Sequence, residues 1–396
     1  MVLGCVLRLR LPRSHERAYE GEKARLSPRQ LADLGVSSAM RWLLFPLLAS
    51  VAFSQQGDPF AALDKNKDGK LTLPEIPAPL RPDFSKADAN RDGFVTREEL
   101  MAVVTGQGSG GTAAAVEHLK NIDYAGAGNP RQKLDLLVPK DRKGKKRPLV
   151  VFVHGGGWWS GRKEDGLDVI RAVTATGDYA AATINYRLSP EAKWPAQIHD
   201  CKAAIRFLRA KADDYGIDAD HIGVVGMSAG GHLVSLLGTG NDDPGLEGTL
   251  GGFAKVSSRV QCVVDFFGPT DFFTNLLPEA AEARNSGRKM VIDFLGRNEE
   301  EARSNAKAAS PVSWVTKDDA PFFIAHGTKD TLVPYSQATT IQTALEKAGV
   351  ENHLVAMEGA GHGFASPELN RRIRVFLDMH LRGVPGEISS EPIRIR

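Results

Sequence analysis

Along most of this chain, continuous apolar runs alternate with amphipathic stretches. LVVFVHGG (149–156), AAATINY (180–186), IGVVGMS (222–228), VQCVVDFFG (260–268) and PFFIAHG (321–327) read as buried strands, and HLVAMEG (353–359) as a further one. Between and after them the apolar positions recur at helical spacing over 196–212, 229–238, 336–348 and 367–382. Uninterrupted apolar strands separated by amphipathic helices predict a mainly parallel sheet covered on both faces. In such a sheet reactive groups collect beyond the carboxyl ends of the strands, so the residues just after each strand carry the interest.

The first hundred residues follow another pattern. DKNKDGKLTLPE (64–75) and DANRDGFVTREE (88–99) repeat with a period of 24 residues. Phe60 and Phe84 precede the first Asp of each loop by four positions, Leu71 matches Val95, and Ile76 matches Leu100. Shared apolar positions make this one structural repeat rather than two chance loops. Each loop follows the spacing of an EF-hand calcium loop, with an all-oxygen donor set and glycine (Gly69, Gly93) at the sharp turn. Loop one would ligate Ca2+ through Asp64, Asn66, Asp68, the Lys70 carbonyl, Thr72 through water, and Glu75. Loop two would use Asp88, Asn90, Asp92, the Phe94 carbonyl, Thr96 and Glu99, with Leu71 and Val95 pairing as a short ladder between the loops. Pro74, Pro77, Pro79 and Pro82 deny the pair the long mobile helices of a sensor. Structural calcium is the expectation, against a relic fold that binds no metal.

Four features follow strands in the main domain. Gly226-Met227-Ser228-Ala229-Gly230 joins a strand to a helix in the G-x-S-x-G pattern of a nucleophile elbow, which pushes the serine hydroxyl outward. His154-Gly155-Gly156-Gly157 follows another strand. Its glycines let backbone N–H groups point into a site, so Gly155, Gly156 and Ala229 are the expected oxyanion donors, with His154 bracing the loop. HGTKDTLVP supplies Asp330, and GAGHGF supplies His362. The order Ser228, Asp330, His362 suits a triad in which the acid fixes the tautomer of the base and the base activates the serine. His326 competes with His362, and Asp271 also follows a strand, but His326 reads as shaping the Asp330 turn and Asp271 as a cap or substrate-side residue.

Composition narrows the rest. The 396 residues leave room for one large domain and a small module, and a formal net charge of +2 gives no field that would attract nucleic acid. No apolar run reaches the length of an ordinary membrane span. Cys5, Cys201 and Cys262 are too few and scattered for a disulfide framework or zinc site, leaving two buried thiols or a single Cys201–Cys262 bridge. MRWLLFPLLASVAFS (40–54) has the layout of a signal peptide, with cleavage near Ala52 or Ser54. That makes 1–39 an expected non-native extension before Met40 and the protein secreted or periplasmic, against a buried helix at 42–53 in a cytoplasmic protein. The domain plan is then the calcium-loop pair at 55–104, a flexible linker at 105–116 (TGQGSGGTAAA), the catalytic domain at 117–385 and a tail at 386–396.

HGGGWWSG, NYRLSPEAKWPAQIHD, GMSAGGH, HGTKDTLVP and GAGHGF together resemble α/β-hydrolase carboxylesterases, near the hormone-sensitive-lipase-like esterases and the bacterial feruloyl and acetyl xylan esterases. The resemblance covers 117–382 and implies an α/β-hydrolase fold behind the EF-hand-like module, Ser228, Asp330 and His362 as triad, Gly155, Gly156 and Ala229 as oxyanion hole, and no catalytic metal. Met227 departs from the lipase branch, where many members carry an acidic residue, and so leans toward the xylan and feruloyl branch. The expected function is a secreted serine esterase acting on a small-molecule or polysaccharide-linked ester. Its alternatives are an amide hydrolase with the same triad, or a calcium-dependent binding protein with an inactive hydrolase fold. Trp158, Trp159 and Trp194 either line the substrate or pack loop against helix, and 270–310 is expected to form a partial lid.

Overall fold

The computed structural model describes residues 60, 63–76, 84–88, 94–97, 99–100, 114–141, 144–276 and 286–395. The expected extension, the signal-like segment, most of the linker, and the loop-two residues Asn90, Asp92 and Gly93 lie outside these.

In the calcium-loop pair, β1 (Lys70–Leu71) runs antiparallel to β2 (Val95–Thr96), with Leu71 opposite Val95 as the repeat predicts. Phe60, Leu71, Ile76, Ala87, Val95 and Leu100 make a small core of their own. The helical turn Phe84–Ala87 is four residues long, and the described stretch after loop one, up to Ile76, is turn rather than helix, as Pro74 would dictate.

The main domain is built on a nine-stranded sheet. Its strands are β3 (Val116–Asp123), β4 (Lys133–Pro139), β5 (Arg147–Val153), β6 (Ala180–Ile184), β7 (Ile217–Met227), β8 (Cys262–Phe266), β9 (Phe322–Gly327), β10 (Asn352–Glu358) and β11 (Ile393–Arg394). They lie in the order β11-β10-β9-β8-β7-β5-β6-β4-β3. Only β3–β4 and β4–β6 pair antiparallel; the other pairs are parallel. Successive side chains of β5 feed opposite cores: Leu149, Val151 and Val153 join one cluster, Val150 and Phe152 the other. That two-sided burial is why the central strands read as unbroken apolar runs.

Seven helices matter here: α1 (Leu167–Thr174), α2 (Ala196–Ala210), α3 (Ala229–Thr239), α4 (Ser286–Leu295), α5 (Glu299–Ala309), α6 (Ser336–Ala348) and α7 (Pro367–Arg382). Apolar residues of α2 to α6 belong to the first core, those of α1 and α7 to the second. Every residue of α3 is buried, which explains its lack of a polar face. α7 shows local signals acting together: the Ser366 hydroxyl accepts from the Leu369 N–H, Pro367 occupies the first turn, and Gly383 ends the helix at φ 65°.

Residues 386–396 are not a free tail where they are described. β11 pairs in parallel with Met357 and Glu358 of β10, Ile393 is buried, and Arg372 donates to the carbonyls of Ser389 and Glu391. Cys201 and Cys262 are both buried and free, so the bridge left open by the sequence is not formed. Among the described residues no helix is long and apolar enough to cross a membrane.

Candidate active site

Ser228 lies between the end of β7 and the start of α3, at φ 55° and ψ −119°. Its N–H donates to the Phe266 carbonyl on the neighbouring strand at 2.8 Å. The flanking glycines are there because nothing larger fits. A Cβ on Gly226 would stand 2.3 Å from the Gly230 carbonyl oxygen, and one on Gly230 would stand 2.1 Å from that of Val153. The helix can therefore press onto both strands, which forces the serine out of the turn.

The structure brings Ser228, His362 and Asp330 into one hydrogen-bonded line. His362 Nε2 lies 2.9 Å from Ser228 Oγ, and His362 Nδ1 lies 2.7 Å from Asp330 Oδ2. Because a carboxylate only accepts, Nδ1 carries the proton and Nε2 is left to take one from the hydroxyl. Asp330 Oδ1 accepts from the N–H groups of Leu332 and Val333, both at 2.9 Å. Burial works against ionisation of Asp330, but hydrogen bonds from His326, His362 and the Val333 N–H outweigh it and hold the carboxyl well below its usual range. Phe267 meets the His362 ring edge to face, with centroids 4.6 Å apart.

His326 sits beside this line rather than in it. Its Nε2 is 2.8 Å from the Val333 carbonyl oxygen and 3.4 Å from Asp330 Oδ2, so it braces the turn that carries Asp330. Asp271 accepts from the Thr274 N–H and so caps the turn at Phe272–Leu276. Both residues sit where the sequence put them, one in the Asp330 turn and one at a cap.

The glycine loop after β5 lies against the elbow. A Cβ on Gly155 would be 2.8 Å from the Met227 carbonyl oxygen, so the Gly155 backbone passes next to Ser228. The N–H of Ala229 opens α3 and has no carbonyl partner within that helix. Gly156, Gly157 and Trp158 take φ of 106°, 61° and 57°. His154 is buried and stacks on Tyr186 with centroids 4.3 Å apart, while its Nδ1 donates to the Gly155 carbonyl. Burial pushes its imidazole down to about 4, so it is neutral and serves the loop as a brace.

Trp158 and Trp194 pack; neither is a free face. Trp158 stacks on Phe294 of α4 with centroids 4.2 Å apart, and Trp194 meets Phe294 and His232. Trp159 is 48% exposed and is left as the candidate for substrate contact. Helix α4, within the 270–310 region expected as a partial lid, sends Phe294 and Met290 onto the glycine loop.

Two buried groups at the site were missed from the sequence. His232 contacts both Trp158 and Ala309. Asp265, at the end of β8, accepts from Ser235 Oγ and the Gly268 N–H, and burial raises it to about 6. The GGH tripeptide after Ser228 was the one visible signal for His232.

In calcium loop one, Asp64 accepts from the N–H groups of Asp68 and Gly69, and Asn66 and Asp68 bond to each other. Glu75 accepts from Lys65 N and from both Thr72 donors. Glu99 repeats the Thr72–Glu75 arrangement with Thr96 in loop two, and Asp88 is buried like Asp64. At the carbonyl positions, Lys70 opens β1 and Phe94 stands just before β2. Among the described residues, the ligand carboxylates are not gathered as a three-membered metal-holding group. The donor chemistry, all hard oxygen around a Gly69 turn at φ 80°, fits a calcium ion.

Known proteins match on the same residues. The EF-hand family model matches 58–76 and 81–104. Esterase LipC of Mycobacterium tuberculosis is 34% identical over 250 residues, which is 62% of this chain and 60% of that protein. The chain thus spans about three-fifths or less of the length of three mycobacterial relatives: 60%, 56% and 43%. Among solved structures, a truncated carbohydrate esterase from gut microbiota superposes with a TM-score of 0.61 at 30% identity, covering 68% of this chain and 98% of that one. The propionate-bound esterase Est2 of Thermogutta terrifontis superposes with a TM-score of 0.52 at 25% identity, covering 67% and 93%. The architecture is that of the α/β-hydrolases, and because the BD-FAE family model matches 134–345, more than half of the chain, the protein belongs to the BD-FAE family.

Proposed function

We propose that this protein is a serine carboxylesterase acting on short-acyl or aromatic-acyl esters, including esters carried on polysaccharide, outside the cytoplasm. The observation that carries the proposal is the continuous line from Ser228 Oγ through His362 to Asp330, at 2.9 and 2.7 Å. Ser228 Oγ attacks the ester carbonyl as its proton passes to His362 Nε2. The negative oxygen of the tetrahedral intermediate is held by the N–H groups of Gly155, Gly156 and Ala229. The C–O bond to the alcohol breaks as His362 returns the proton to the leaving oxygen. Water, deprotonated by the same imidazole, then releases the acid from Ser228. Asp330 stays ionised throughout, fixing the imidazole tautomer and stabilising its cationic form.

The names of the relatives support an ester substrate, and the gut carbohydrate esterase supports an acyl group on sugar. The propionate-bound neighbour supports a short acyl chain. The signal-like segment at 40–54 supports export. A panel of p-nitrophenyl acetate, longer p-nitrophenyl esters, methyl ferulate and acetylated xylan, run on wild type and Ser228→Ala, tests the reading. Loss of all ester hydrolysis in the variant is expected, with short or aromatic acyl groups preferred in the wild type. Full activity in Ser228→Ala refutes the mechanism.

For the calcium-loop pair, the reading is structural Ca2+ held by Asp64, Asn66, Asp68, the Lys70 carbonyl, Thr72 through water and Glu75, and by their counterparts Asp88, Asn90, Asp92, the Phe94 carbonyl, Thr96 and Glu99. The ion would cross-link each loop by charge and take no part in ester hydrolysis. Titrating the full chain with calcium in a calorimeter should give heat that Glu75→Gln with Glu99→Gln removes. Absence of heat at millimolar calcium rejects binding.

A further inference from the structure

Trp158 is a bulky residue held at φ 57°, directly after two glycines that also have positive φ. A non-glycine residue there is strained and persists only where its surroundings fix it. Three contacts do so. The Trp158 carbonyl accepts from the N–H and the hydroxyl of Ser189, at 2.7 and 3.1 Å. Its ring lies flat on Phe294, 9° from parallel. Its indole N–H donates to His232 Nδ1 at 3.1 Å.

The third contact ties together more than two groups. His232 belongs to α3, one turn after Ser228, and its own N–H bonds the Ser228 carbonyl at 3.0 Å. Its Nε2 lies 2.7 Å from the Ala309 carbonyl oxygen at the end of α5. An indole N–H can only donate, so Nδ1 must accept and the ring proton sits on Nε2, where the carbonyl takes it. One fully buried imidazole, ringed by Trp158, Phe272 and Phe294, therefore joins the nucleophile's helix, the glycine loop and the 286–309 segment. The same segment seals the loop at Gly157, where an added Cβ would lie 1.8 Å from Met290 Sδ.

We propose that His232 is a positioning residue for the oxyanion loop, locking Trp158 and through it Gly155 and Gly156, so that α4 and α5 act as a fixed clamp on that loop and not as an opening lid. The proposal rests on the esterase reading above. A loosened loop still admits the ester but no longer meets the tetrahedral oxygen at hydrogen-bond distance, so kcat falls while KM stays.

A double-mutant cycle on the full chain tests it. Trp158→Phe keeps an aromatic ring on Phe294 and removes only the donor; His232→Leu removes both hydrogen bonds. With p-nitrophenyl acetate, each single variant should lower kcat by about 10- to 100-fold. KM should stay within about twofold, and the double variant should be no slower than the slower single one. Affinity for a boronic acid, which forms a tetrahedral adduct on Ser228, should fall in parallel with kcat/KM. Multiplying effects on kcat, or a change confined to KM or to thermal stability, overturn the clamp. Should His232→Leu fail to fold, Trp158→Phe alone decides: unchanged kcat and boronate affinity reject the proposal. Ser228→Ala separates the two readings, because its retained activity sinks the esterase mechanism, whereas its inactivity with an unperturbed Trp158→Phe sinks only the clamp.

Discussion

The backbone of Ser228 makes a prediction about stability that runs opposite to activity. At φ 55° and ψ −119° the residue occupies a region that a Cβ makes costly, by about 1–3 kcal/mol. Replacing Ser228 by Ala keeps the Cβ and the cost, whereas replacing it by Gly removes both. Gly brings its own penalty of about 0.5–1 kcal/mol, because the unfolded chain gains freedom. The hydroxyl's bond to His362 is lost in both variants and cancels. Taking midpoints, about 2 less about 0.75 kcal/mol, Ser228→Gly should be more stable than Ser228→Ala by about 1 kcal/mol, the ranges together spanning about 0–2.5 kcal/mol. At roughly 2–4 °C per kcal/mol for a domain near this size, the Gly variant should melt about 2–4 °C above the Ala variant, and at most about 10 °C above it. Scanning calorimetry of the two variants in one buffer measures this directly. An Ala variant as stable as the Gly variant, or more so, would refute the claim that the elbow stores strain at its nucleophile.

Two further predictions concern packing and pH. Gly230→Ala puts a Cβ against backbone at Val153 and His154 (2.1 and 2.6 Å), which cannot yield as a side chain would. It should cut kcat by about 100-fold by moving α3 off β5, whereas Gly252→Ala, which meets nothing within 4 Å, should change nothing; equal activities in the two variants would contradict this. Burial pushes His154 down to about 4 and His232 to about 3, below the roughly 6.5 of an unfolded histidine. The unfolded chain then binds protons that the folded one refuses, so this stability is complete above about pH 6.5 and falls as pH drops toward 4, by up to about 1.4 kcal/mol per pH unit for each ring. Asp265, raised by burial, takes up a proton in the folded chain within that window and offsets part of the loss, whereas Asp330, with its carboxyl depressed, loses its contribution only at lower pH. Urea melts at pH 7 and pH 5 should show the loss, and equal midpoints would exclude it.

Much of this arrangement was legible because the relevant signals are local. β5 to β9 announce themselves as apolar runs, and Ser228, Asp330 and His362 each lie within four residues of a strand's end. What stayed hidden depends on partners far away in the chain. β4 carries Asp135 in the middle of an otherwise apolar run, matched by Lys163 at 2.8 Å and His118 at 3.0 Å from other segments, so its sequence does not look like a buried strand. β3 is an edge strand with a bulge between Leu119 and Ile122 and a mixed pattern. β11 is two residues long and exists only because β10 offers an edge. His232 bonds a tryptophan 74 positions earlier and a carbonyl 77 positions later, so no window of sequence around it reveals its task. Trp158 reads as a possible substrate face until Phe294, from the region expected to be a lid, is seen to cover it. Local motif therefore located the candidate site, and only the tertiary structure identified what holds it in place.

The central claim, that Ser228 is a nucleophile activated by His362, is most directly tested by covalent trapping. Intact mass after exposure to a p-nitrophenyl alkylphosphonate should rise by one phosphonyl group, with release of one equivalent of p-nitrophenol. Peptide mapping should place the adduct on Ser228, and Ser228→Ala should stay unlabelled. Labelling elsewhere in the wild type, or equal labelling of Ser228→Ala, would contradict the account.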